Sequence, residues 1–383
     1  MGKRDFIGLF YSVNESWIGG TYYIQNIVSA LNLLEDNKKP NIDIYTQKRK
    51  DFDDLKVKTN YPYLYYVNTD SKWRFFVHAI FKHLCLRKLA NNVTCIKKRD
   101  IFVFPSLQKL PYHKELAWIP DFQSERLPEL FLKEDADARR ASYLAILERG
   151  TPIVFSSYDS LNDCKFFFPQ YSVKTYVMHF AVTLPDILNN NFLEVARRHH
   201  IGFKHYYFCG NQFWAHKNHL YLFKEFKKLL EAGHDINLIC TGTLEDYRNP
   251  LYIEQIRVLL EDTLLKSHVM LLGFISRVDM LVLMKHSIAV IQPSLFEGWS
   301  TVVEDAKALN KFVFLSDLPV HREQMTSNVC FFDPRKETDL ADKLSTTKPY
   351  VIPMDYNKNR KEFAAKFLSI IDDVKNRVML RRA

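Results

Sequence analysis

Pro293-Ser-Leu-Phe-Glu-Gly-Trp-Ser-Thr-Val-Val-Glu-Asp-Ala-Lys-Ala-Leu309 is the stretch whose reading decides the fold. Just before it, apolar Ile288 to Ile291 have the length of a short buried strand, and Val302, Val303, Ala306 and Leu309 recur with helical spacing. The stretch therefore reads as a strand, a turn through Gly298 and a helix bearing acids. Glu297 falls on the turn and Asp305 about one turn into the helix. Gly298 permits close approach of backbone to a ligand, and the amides of Trp299, Ser300 and Thr301 at the helix start suit an anion. A carboxylate on either side of a phosphate-sized amide cup fits a molecule with hydroxyls at both ends, as a nucleotide-sugar has. The same residues also fit a plain strand-turn-helix unit, with Thr301-x-x-Glu304 as a capping box.

Upstream, Cys209-Gly-Asn-Gln-Phe-Trp-Ala-His-Lys-Asn-His219 follows a strand at Tyr206 to Phe208. A helix is expected from Asn218 as cap, with Leu220, Phe223, Phe226 and Leu230 inward. Lys217 then stands at a strand-to-helix turn, where an ammonium meets a diphosphate as a point charge or is simply solvated. Near the start, Phe6 to Tyr11 form an apolar run. Trp17-Ile-Gly-Gly-Thr21 precedes a helical stretch from Tyr22 to Leu33, which places Gly19 and Gly20 on the connecting loop. No Gly-x-Gly-x-x-Gly is present.

Phe296-Glu297-Gly298 through Asp305-Ala306, with Phe312 to Ser316 and Asp317-Leu-Pro-Val-His-Arg-Glu-Gln324, resembles the pattern of retaining glycosyltransferase family 4, within glycosyl transferases group 1. The resemblance covers most of residues 100 to 335 and implies an α/β protein of the GT-B type, with two Rossmann-like domains facing across a cleft. It implies that Glu297 contacts the donor sugar. The second acid of the Glu-x7-Glu motif, here Asp305, takes the ribose hydroxyls, with Glu304 as fallback. Lys217 is implied at the diphosphate, where a fixed cation stabilises the leaving group. The Arg that commonly precedes it is replaced, since the pair reads Gly210-Asn211 and Gln212 follows as a donor-side candidate. Leu271-Leu-Gly-Phe-Ile-Ser-Arg-Val-Asp-Met280 resembles the segment that holds the base, with Phe274 and Ile275 in contact. Gly19 and Gly20 resemble the family's amino-terminal glycine loop. In Trp118-Ile-Pro-Asp-Phe-Gln-Ser-Glu-Arg-Leu-Pro-Glu-Leu-Phe131, Ser124 stands where relatives often have a His, and Asp121 is a cleft-side candidate or a turn former. No cofactor and no metal are expected.

Composition agrees with this reading. The 383 residues are 47% hydrophobic, enough for two cores, and no run of 18 apolar residues occurs. Strands alternate with helices. We place a first domain at 1–182, a polar linker over Thr183 to Gly202, and a second domain at 203–355. A helix over 356–383, with Phe363, Phe367, Ile370 and Val374 on one face, packs back on the first. The six cysteines are scattered without a CxxC pair, and the amino terminus lacks a signal-peptide pattern, so a cytoplasmic protein is expected.

The net charge is +9, and Lys72 to Arg99 carries much of the excess. Lys72 to Lys88 reads as a basic amphipathic helix, either lying on an anionic membrane or packed into the core with its charges solvated. Phe166-Phe-Phe168 is open to the same two readings. No nucleic-acid motif accompanies the charge. The expected partners are a nucleotide-sugar donor and a hydroxyl acceptor, with a lipid-linked glycan as the context the family implies. A nucleotide-sugar epimerase of the same fold, a non-catalytic nucleotide-sugar-binding protein and a membrane adaptor stand as alternatives.

Overall fold

A computed structural model describes residues 4–13, 18–69, 96–105, 115–186 and 191–380. In the first half, β1 (Phe6–Phe10), β2 (Asn41–Thr46), β3 (Leu64–Asn68) and β4 (Asp100–Phe104) pair in parallel in the order β3-β2-β1-β4. A bridge from Val103 to Glu115 leads on to β5 (Ala117–Ile119), β6 (Ile153–Phe155) and β7 (Thr175–Val177), also parallel. In the second half, β8 (Tyr207–Cys209), β9 (Leu238–Cys240), β10 (Val269–Leu271), β11 (Val290–Gln292), β12 (Val313–Ser316) and β13 (Val329–Phe332) form one sheet in the order β10-β9-β8-β11-β12-β13. Each half starts on a central strand, winds outward to one side, then returns to the other. Such a reversal leaves a crevice at the carboxyl ends of the strands, beside β1 and β4 in one half and β8 and β11 in the other.

β2 does not stand out in the sequence as a buried strand. All of its residues are buried, but Asp43 interrupts the apolar run, and its carboxylate is buried because Arg99 Nε donates to its Oδ2 at 2.9 Å. The Arg99 guanidinium also lies 4.0 Å from the centre of the Phe6 ring, so that cation of the basic stretch is committed to the fold. The expected basic helix, Lys72 to Lys88, lies outside the described residues. Phe168 joins the core around Phe122 and Tyr143, while Phe166 is exposed.

Two further expectations are corrected. The stretch between the domains is more than a polar linker, because Phe192–Arg198 forms a helix capped by Asn191, whose Oδ1 accepts from the Leu193 amide. It docks on the second half through Arg198 and His199, which bond Asp279 at 2.7 and 2.9 Å, and through Phe192, stacked on His286. Asn218 does not cap the helix His219–Glu231. Its left-handed backbone turns the side chain away, and Nδ2 donates to the Pro334 carbonyl instead.

The last helix, Asn357–Leu380, buries Phe363, Phe367, Ile370 and Val374 in the core of the first half, where Phe367 meets Phe102 and Phe104. Just before it, the Tyr356 hydroxyl accepts from the Val182 amide and donates to Glu304, tying the first half to the second.

Candidate active site

The carboxyl ends of β8 and β11 bring Lys217 and Glu297 together. Lys217 closes a short 3-10 turn, Ala215–Lys217, and its ammonium lies 2.6 Å from Glu297 Oε1. The same oxygen accepts from Gln292 Nε2 and Ser294 Oγ, each at 2.7 Å. Gln292 is held in turn by Asn211, whose amide donates to Gln292 Oε1 at 2.7 Å. Burial alone would raise the Glu297 carboxyl, but the Lys217 charge and these hydrogen bonds outweigh it and hold the group below the usual glutamate value, as an anion. Sequence reading missed Gln292, Ser294 and the role of Asn211, for a polar residue at a strand end carries no periodic signal.

The turn after Glu297 meets the first half of the chain. A Cβ on Gly298 would fall 2.4 Å from the Pro120 carbonyl oxygen and 2.8 Å from Asp121 Cβ, so glycine is required here for approach to a protein backbone. Asp121 therefore faces this site from across the crevice, where the charges of Glu297 and Lys217 reach it. Its Oδ1 accepts from the Gln123 amide, and burial, with Glu297 adding to it, pushes its carboxyl up. Ser124 points inward beside the Tyr143 hydroxyl and is buried. Gly19 and Gly20 lie in the first turn of the helix Ile18–Leu31 rather than on a loop. A Cβ on Gly19 would look onto Thr301 Oγ1 at 4.0 Å, so this helix start faces the one in the second half.

The amide cup is partly filled by the protein itself. The Ser300 amide donates to Gln324 Oε1, and Ser300 Oγ caps the helix Thr301–Ala308 by accepting from Val303. That leaves the Trp299 and Thr301 amides as the remaining candidates of the three. Glu304 makes no capping box. Its carboxylate holds Lys307 and Gln324 at 3.0 Å each and receives the Tyr356 hydroxyl. Asp305, fully buried, is gripped through both oxygens by Arg277, at 2.9 and 2.6 Å, and Arg277 lies over the Tyr22 ring. Gln212 is also committed, accepting from the Thr243 amide at 2.7 Å. This loop packs tightly, because Gly242, at φ 116, would drive a Cβ to 2.2 Å from the Asn211 carbonyl oxygen. At the end of β10, Phe274 is exposed while Ile275 packs against the core.

Glu323 and Trp299 make a second junction. Glu323 accepts from the amides of Tyr158 and Asp159 at the start of the helix Tyr158–Phe167 and contacts His179, whose ring stacks on Trp299 at 4.4 Å. A cavity of about 480 Å³ lies on this side of Trp299, between β7, Glu304 and the last helix, away from the Lys217–Glu297 pair. Charge and hydrogen bonding converge on that pair, which makes it the candidate site rather than the cavity. Among the described residues, no group of three or more His, Cys, Asp or Glu side chains is arranged to hold a metal ion.

The two parallel-sheet halves have the α/β fold of GT-B proteins, shared with solved glycosyltransferases. A glycosyltransferase from Rickettsia africae ESF-5 shares the fold at a TM-score of 0.61 and 14% identity, covering 99% of each chain. WaaG, a glycosyltransferase involved in lipopolysaccharide biosynthesis, aligns at 0.60 and 13%, over 97% of this chain and 99% of its own. Anabaena Alr3699/HepE, solved in complex with UDP-glucose, aligns at 0.57 and 14%, over 99% of both. More particularly, residues 201–347 match the model of the family glycosyl transferases group 1. The O-antigen chain mannosyltransferase RfbU of Salmonella typhimurium is 27% identical over 176 residues, 43% of this chain and 47% of its own length, so the match spans about half of that relative.

Proposed function

We propose that the protein is a retaining, metal-independent glycosyltransferase of family 4 that moves a sugar from a nucleoside-diphosphate sugar to a hydroxyl acceptor. The observation that carries the reading is the Lys217–Glu297 pair, poised at the carboxyl ends of β8 and β11 opposite Asp121. A donor entering the crevice separates the pair, with the diphosphate taking Lys217 and a sugar hydroxyl taking Glu297. Asp305 is assigned the ribose hydroxyls, because each carboxylate oxygen keeps a second lone pair beyond the one Arg277 uses. The glycine-bearing helix start at Gly19 and the Trp299 and Thr301 amides face the phosphates. Phe274 and Ile275 flank the base.

In the transfer step, the bond from C1 of the sugar to the phosphate oxygen breaks as the acceptor oxygen bonds to C1 on the same face. The departing phosphate oxygen takes the acceptor proton, and Lys217 stabilises the charge that develops on the diphosphate. The group 1 match and the transferase neighbours support transfer over epimerisation, mere binding or an adaptor role. Likeness to an O-antigen mannosyltransferase and to WaaG supports polysaccharide or lipid-linked glycan assembly as the setting. Among the described residues no helix is long and apolar enough to cross a membrane. Contact with an anionic membrane surface through residues 72–99 and a cytoplasmic location are part of the proposal.

The test is thermal-shift titration with UDP, GDP, ADP and dTDP in EDTA. Transfer from the matching sugar donors follows, with the product's anomeric configuration read by NMR. Binding of one diphosphate and a retained anomer in EDTA support the reading. Binding of none, loss of transfer in EDTA or an inverted product overturns its corresponding part.

A further inference from the structure

His321 belongs to none of the roles above, yet it sits at the same crevice. β12 runs beside β11 with Leu315 opposite Gln292, so Ser316 comes level with the turn that carries Ser294 and Glu297. The short helix Pro319–Gln324 folds back over that strand end, and His321 Nδ1 lies 2.8 Å from the Ser316 carbonyl oxygen and 3.1 Å from its hydroxyl. A carbonyl oxygen only accepts, so Nδ1 carries the proton and Nε2 presents a bare lone pair. The imidazole is fully buried, and Nε2 has no hydrogen-bond partner among the described residues. Burial pushes its pKa down to about 4 even though the Glu297 charge opposes this, so the ring stays neutral near pH 7. The charges of both Glu297 and Lys217 reach it.

A buried acceptor without a donor is costly, and the large majority of such atoms find a partner. Among the described residues none supplies a donor to it: Gln292 and Ser294 both turn theirs to Glu297, and Lys217 does the same. The donor then comes from outside the protein, and a neutral acceptor beside a carboxylate suits a hydroxyl. We infer that His321 is a specificity-determining residue of this site, its Nε2 accepting a hydrogen bond from one hydroxyl of the donor's sugar next to the hydroxyl held by Glu297. The inference rests on the donor reading above. It predicts that the site reads two hydroxyls of the sugar through two acceptors of different charge.

The probes are the nucleoside diphosphate that binds in the titration above, its sugar donor, and the set of donor analogues in which each sugar hydroxyl in turn is replaced by fluorine, which cannot donate. In the wild type, one analogue besides the one read by Glu297 should bind at least about tenfold more weakly than the parent donor. In His321→Ala that discrimination should vanish, while affinity for the bare diphosphate is unchanged. His321→Gln, which offers an amide oxygen near the Nε2 position, should restore part of it. If no diphosphate binds the wild type, the donor reading itself fails. If the diphosphate binds but His321→Ala and His321→Gln leave every analogue's discrimination as in the wild type, the role of His321 is overturned. Should His321→Ala not fold, His321→Phe, which fills the ring's volume without an acceptor, takes its place: lost discrimination supports the role and discrimination as in the wild type refutes it.

Discussion

Lys217 Nζ stands 2.6 Å from Glu297 Oε1, joining the loop after β8 to the turn after β11. Each group supplies the other's counter-charge until a ligand takes its place. Glu297→Gln keeps the shape and removes the charge, and turnover should fall by about 10²–10³, the range seen when one preorganised electrostatic partner is lost. Glu297→Ala should abolish transfer, with circular dichroism showing the fold intact. Lys217→Ala should lower turnover and weaken diphosphate binding together. Full activity in Glu297→Ala would remove the site from this turn.

Asp305 and Arg277 form a buried bidentate pair, and that complicates the obvious experiment. Asp305→Ala leaves a guanidinium buried without its partner, which costs about 3–5 kcal/mol. A lowered Tm is therefore expected whether or not Asp305 touches ribose. Asp305→Leu combined with Arg277→Met removes both charges and should recover much of the stability. If Asp305 holds the ribose, the double variant still binds the diphosphate more weakly than the wild type. Equal affinity would take Asp305 out of the site.

Gly298→Ala should separate the domains without unfolding either. The added methyl would lie within 3 Å of Pro120 and Asp121, both backbone-anchored. Activity should be lost and the radius of gyration from small-angle scattering should grow. An unchanged scattering curve with unchanged activity would contradict this contact.

Asp159 should make stability pH-dependent. Burial, with Asp163 and Glu323 nearby, raises its pKa to about 6, above the value of about 3.9 for an unfolded chain. Between those values the native state binds more protons, so this group's contribution falls as pH rises from about 4 to 6 and stays unfavourable above. Asp159→Asn should therefore gain Tm over the wild type across that window and hold the gain at pH 7–8. A constant Tm difference from pH 4 to 8 would count against the shift.

Tyr356→Phe tests the clasp between the halves. The ring remains, but the Val182 amide and one Glu304 oxygen lose their partner. A destabilisation of about 1–3 kcal/mol in urea melts is expected, because two buried polar groups are left short. A change under a few tenths would mean that water replaces the hydroxyl.

Much of the second domain was legible in the chain because its strands are short apolar runs and its helices are amphipathic, as Phe223, Phe226 and Leu230 show; Leu220, expected inward, is only partly buried. The last helix was legible for the same reason, through Phe363, Phe367, Ile370 and Val374. The strand with Asp43 was not, since a buried carboxylate looks polar until Arg99, far along the chain, arrives to pair with it. Nor were Gln292, Ser294 and His321, because hydrogen bonding at a strand end leaves no periodic trace.

Local chemistry thus determined by itself that this chain alternates strand and helix, that Gly298 breaks a strand into a helix, and that Lys217 and Glu297 fall on strand-to-helix turns. Those properties depend on neighbours a few residues away. The tertiary structure alone decided that the two groups pair with each other, that Gly298 presses on Pro120, that Ser300 gives its amide to Gln324, and that Arg277 grips Asp305. Each of these joins residues distant in sequence, and their energies depend on burial and distance that exist only once the sheets have formed and the domains have met.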